Sequence, residues 1–80
     1  MSYFVTKTNE AVALTPWLRE RFSPWGLEKL AELRDEAATA GDDATVRDIV
    51  KVLSGKRGKK AAYRRIRFAF PHFFDAGGEA

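Results

Sequence analysis

Eight cations and no acid occupy residues 49–74 of this chain: Lys51, Lys56, Arg57, Lys59, Lys60, Arg64, Arg65 and Arg67. Guanidinium forks meet phosphate oxygens at two points, and ammonium groups add point charges. Residues 1–48 hold six cations against nine acids, and Asp75 and Glu79 follow the basic run, so the net charge of +3 conceals a strong polarity. A field of this sign draws phosphate or an acidic protein face. Five aromatic residues (Tyr63, Phe68, Phe70, Phe73 and Phe74) lie in or beside the same stretch. Cations interleaved with rings form the usual surface for single-stranded nucleic acid, whose bases stack on the rings. The competing assignment places Tyr63, Ile66, Phe70 and Phe73 in the core, because so short a chain needs most of its rings inside.

Other chemistries find little footing. The chain has one histidine and no cysteine, so thiolate metal sites and disulfides are excluded, and no carboxylates cluster at ligand spacing. His72 sits among Phe70, Pro71, Phe73 and Phe74 and reads as a partly buried structural residue. Ser23 and Ser54 read as cap residues and Ser2 is terminal, so no nucleophile–base pair is indicated. No catalytic residue, metal or cofactor is therefore expected. Gly55-Lys56-Arg57-Gly58-Lys59-Lys60 lacks the four-residue spacer of a phosphate loop and follows a helix, which argues against a nucleotide site.

The elements that must position these residues are punctuated clearly. Thr15-Pro16-Trp17-Leu18 and Ser23-Pro24-Trp25-Gly26-Leu27 each place a hydroxyl residue before a proline, the order of an N-cap and a first helical position. A short helix from Pro16 to near Phe22 and a longer one from Pro24 follow. The longer helix carries Leu27, Leu30, Ala31, Leu33, Ala37 and Ala38 on one broad face and ends at Gly41. Asp42 and Asp43 suit the start of the next helix, where Val46, Ile49, Val50 and Leu53 recur at i, i+3, i+4 and i+7. Ser54-Gly55 closes that helix, and a cationic, glycine-hinged connection leads into the last segment.

That segment reads as a helix from about Lys59, with Tyr63, Ile66, Phe70 and Phe73 on one stripe and Pro71 ending it. An extended reading places Ile66, Phe68 and Phe70 on one face and accounts for Phe68, which the helical stripe leaves out. The expected fold is mainly α, one small domain over residues 1–75 with three to four short helices and a frayed tail at 76–80. That mainly α fold has room for a short β pairing between residues 3–6 and residues 64–70, and α+β is the alternative. The second and third helices resemble a helix-turn-helix in length and order. The would-be recognition helix opens on Asp42-Asp43-Ala44-Thr45, however, whose acids would face phosphates, and an ordinary antiparallel pair fits better.

The functional expectation is a small non-enzymatic nucleic-acid-binding protein. Lys56, Arg57, Lys59, Lys60, Arg64, Arg65 and Arg67 would contact the phosphate backbone of DNA or RNA. The alternative is a protein-interaction module, such as a small phage- or mobile-element-encoded inhibitor, docking its basic face on an acidic host protein. Trp17, Trp25 and Phe68 are the candidate partner contacts, and small domains often complete their cores by pairing, which leaves a homodimer open. No apolar run approaches the roughly 18 residues that span a bilayer, and Pro71 breaks the amphipathic run of residues 59–74. No secretory pattern opens the chain, so a cytoplasmic location is expected.

Overall fold

A computed structural model describes residues 3–73, with the side chain of Phe73, residues 74–75 and the expected frayed tail, residues 76–80, outside that description. Two strands, β1 (Tyr3–Val5) and β2 (Ala11–Ala13), precede α1 (Pro16–Arg21), α2 (Pro24–Thr39), α3 (Asp43–Ser54), α4 (Lys59–Ala69) and a short α5 (Pro71–Phe73). The fold is mainly α with one short β pairing, as the sequence leads one to expect.

The partner in that pairing is different. β1 pairs with β2 in an antiparallel hairpin, with Tyr3 opposite Ala13, Phe4 opposite Val12 and Val5 opposite Ala11, while residues 64–70 lie within or directly after α4. The hairpin wins because its ends are adjacent in sequence and little loop entropy is lost in joining them. Asn9 takes the left-handed conformation (φ 65°), which asparagine tolerates, and its N–H donates to the Thr6 carbonyl at 2.9 Å. Thr6 is buried, and its hydroxyl accepts the Glu10 N–H at 3.1 Å. Phe68 drew the extended reading only because no helical core face could hold it. It stays outside.

The helix starts are those the hydroxyl–proline pairs specify. Thr15 Oγ1 accepts the Leu18 N–H at 3.2 Å and Ser23 Oγ accepts the Gly26 N–H at 3.1 Å. α2 ends in a paired turn: Gly41 is left-handed (φ 75°), its N–H donates to Ala38 and the Asp42 N–H donates to Ala37. Asp42 then caps α3 by accepting the Thr45 N–H at 3.2 Å. Ser54 is not a cap. Its hydroxyl donates back to the Val50 carbonyl at 2.5 Å.

α3 packs on both α2 and α4, and this widens its buried face beyond the expected stripe. Ile49, Val52 and Leu53 are buried, whereas Val46 and Val50 are only partly covered. The core joins them to Val12, Leu18, Phe22, Leu27, Leu30, Ala62 and Ile66, with Phe4, Leu14, Trp17, Leu33, Tyr63 and Phe70 packed around it. The hairpin is tied to α2 by polar contacts: Lys7 N–H donates to Glu28 Oε1 at 2.9 Å, and Arg34 grips both oxygens of Glu10. His72 is exposed, not partly buried, because the turn that begins at Pro71 carries it past Phe70, which packs on the core. Among the described residues no helix is long and apolar enough to cross a membrane.

Ile49→Ala should lower stability by about 2–5 kcal/mol and Ile49→Val by about 0.5–1.5 kcal/mol, read from urea unfolding followed by circular dichroism. The hydrogen bonds from Arg34 hold the Glu10 carboxyl below its usual range, against the opposing effect of burial. A carboxyl depressed in the folded state contributes stability above its unfolded pKa and loses it as pH falls through the folded value. Wild-type protein should therefore lose this contribution below about pH 4, whereas Glu10→Gln, already weaker at pH 7, should show a shallower acid limb.

Candidate nucleic-acid interface

The position of each cation follows from its place around α4. Ala62 and Ile66 are buried against the core, so residues about a quarter-turn or more away project outward. Lys60 and Arg64, four residues apart, stand one turn above the other on the side that faces α1. There they line an open cleft of about 310 Å3 with Tyr63 from α4 and Trp17 and Arg21 from α1. No carboxylate is among these five lining residues.

The aromatic floor is well held. Tyr63 meets Trp17 edge-on at 5.7 Å between centroids and Phe22 edge-on at 5.6 Å, which docks α1 onto α4. Arg21 lies over the Trp17 ring at 4.6 Å and donates from Nη1 to the Trp17 carbonyl at 3.2 Å. Lys59 Nζ approaches the same ring at 5.7 Å. Trp17 Nε1 is shielded from solvent with no acceptor among the described residues, so the ring contacts hold the indole in place. Trp17 is thus part core anchor and part cleft wall.

The seven predicted phosphate contacts divide into three groups. The side chains of Lys56, Arg57, Lys60 and Arg64 are exposed and have no hydrogen-bond or ion-pair partner among the described residues. Lys59 is half-buried beside Trp17, and Arg67 donates from Nη1 to the Tyr63 hydroxyl at 3.2 Å. Arg65 lies on the far side of α4 and forks onto Asp48 of α3, with Nε at 3.0 Å from Oδ2 and Nη2 at 2.7 Å from Oδ1. That hydrogen bonding holds the Asp48 carboxyl below its usual range and raises Arg65 further. Arg65 is therefore neutralised locally and stands apart from the cleft.

Arg21 is the cleft residue that the charge run does not reveal. Its only signal in the sequence is the four-residue spacing from Trp17 within one short helix. The candidate partner contacts also separate. Trp25 is 44% exposed with Lys29 Nζ at 5.8 Å from its ring, and Phe68 is 90% exposed on α4. Measured against known families, characterised proteins and solved structures, the chain has no match.

The division of the cations has a direct test in folding stability. Arg21→Ala should cost about 0.5–1 kcal/mol through the lost stacking on Trp17. Arg64→Ala should leave stability within about 0.5 kcal/mol of wild type. Urea midpoints at equal slope would show the difference.

Proposed function

We propose that this protein binds nucleic acid through the phosphate backbone, with Lys60, Arg64 and Arg21 around the α1–α4 cleft and Lys56 and Arg57 on the adjoining loop. The observation that supports this reading is the cleft itself: three cations and two rings with no acid among the described lining residues, the Glu20 carboxylate standing 3.5 Å from Arg21 Nη1 outside that lining. Among the described residues Lys60 and Arg64 have no hydrogen-bond or ion-pair partner to surrender on binding an oxygen anion. Arg21 is pre-positioned by Trp17, so less side-chain freedom is lost on binding. Arg65 and Asp48 serve the fold in this scheme, and Lys59 and Arg67 shape the cleft. Contacts of this kind hold a strand in register without reading its bases, so affinity should depend weakly on sequence.

A protein-interaction module that docks on an acidic host surface is the second reading. Half-exposed Trp25 favours it, because tryptophan is enriched among interface anchors. The same cations would then meet carboxylates, and random nucleic acid would bind poorly.

Fluorescence anisotropy with labelled random duplex DNA, single-stranded DNA and RNA across a salt series separates the two. Wild-type protein should bind, with log K falling against log salt at roughly −0.9 per phosphate on duplex and −0.7 on single strands. Replacing both Lys60 and Arg64 by Gln should flatten that slope by about two contacts with helical content unchanged. Failure to bind any probe at low salt would overturn the proposal.

A further inference from the structure

Phe68 is the most exposed large apolar side chain among the described residues, and its setting narrows the kind of nucleic acid that the basic face suits. It lies two residues beyond buried Ile66, about 200° around the helix, and so points directly away from the core. Lys60, Arg64 and Phe68 recur at i, i+4 and i+8. They form one row about 12 Å long: cation, cation, ring. The other described rings beside the basic face, Tyr63 and Phe70, are engaged. Tyr63 is edge-on to Trp17 and Phe22, and Phe70 packs against the core.

We infer that Phe68 is a stacking platform for an unpaired base, which makes single-stranded nucleic acid the preferred ligand of this surface. The inference rests on the phosphate-binding reading above. A base stacked on Phe68 leaves the neighbouring phosphates of the same strand beside Arg64 and Lys60, one and two turns back along the helix. Both cations keep their solvent and gain an anion. A protein pocket closing over Phe68 would have to desolvate Arg64, its neighbour one turn away, at considerable cost. Duplex bases are already stacked on one another, so a duplex can use the two cations but not the ring.

The test is anisotropy with three probes of equal length: a thymidine oligonucleotide, the same backbone with abasic sites, and a duplex. The proteins are wild type, Phe68→Ala, Phe68→Tyr and the Lys60→Gln/Arg64→Gln double variant, each checked for fold by circular dichroism. Phe68→Ala should weaken binding to the thymidine strand roughly 5- to 100-fold with its salt slope unchanged, and Phe68→Tyr should retain affinity. Binding to the abasic strand and the duplex should change less than about 2-fold, since the phosphate contacts remain. If Phe68→Ala binds the thymidine strand like wild type while the double variant weakens all three probes, stacking is wrong and the phosphate reading survives. An equal loss on thymidine strand and duplex would also overturn stacking, because it marks a ring that acts on paired DNA. If wild type binds none of the probes, both proposals fall, and a protein surface becomes the occupant of this face.

Discussion

The burial of α3 between α2 and α4 is the constraint on which the rest of this small protein depends. Ile49 and Val52 are fully enclosed, and the helix that carries them packs against helices on two sides at once. In so short a chain one helix must serve as the common floor, because there is too little apolar surface for two cores. The hairpin and α1 complete the shell, through Val12 and Leu18, and add little core of their own. Ala62 is the small residue on the α4 side of this packing and is completely covered, which lets α4 settle closely on its neighbours.

That geometry dictates where the charge goes. With Ala62 and Ile66 turned inward, the arginines and lysines of α4 fan out over the remaining circumference. Arg65, on one flank, meets Asp48 of α3 and is absorbed into the fold. Those on the other flank meet α1, where Trp17 and Arg21 share the cleft with Tyr63 of α4. The same helix thus carries a structural cation and available cations, separated by less than a turn. The like charges of α4 are in this way divided between a cleft that takes Lys60 and Arg64 and an ion pair that takes Arg65.

The aromatic residues show a parallel division. Phe22 is buried, Tyr63 bridges α1 and α4 by its edges, and Trp17 holds Arg21 over its face. These rings exchange solvent for packing, and their polar neighbours are fixed as a result. Phe68 gains nothing from the fold. Its phenyl ring stands in solvent on the outer face of a basic helix.

Local chemistry in the sequence determined most of the framework. Hydroxyl–proline pairs at Thr15-Pro16 and Ser23-Pro24, the left-handed glycine at 41 and the acidic start of α3 each act within a few residues, so their effect is readable without knowing the fold. The charge polarity and the exposed loop of Lys56 and Arg57 were equally plain. The hairpin was obscured because Ala11-Val12-Ala13 has little strand character and its turn depends on buried Thr6 and left-handed Asn9. Only the tertiary structure decided that Arg65 pairs with Asp48 and that Arg21 joins Lys60 and Arg64. Those outcomes depend on which flank of α4 meets α3 and which meets α1. Sequence periodicity states which face of a helix is apolar, but it does not name the neighbour on either side.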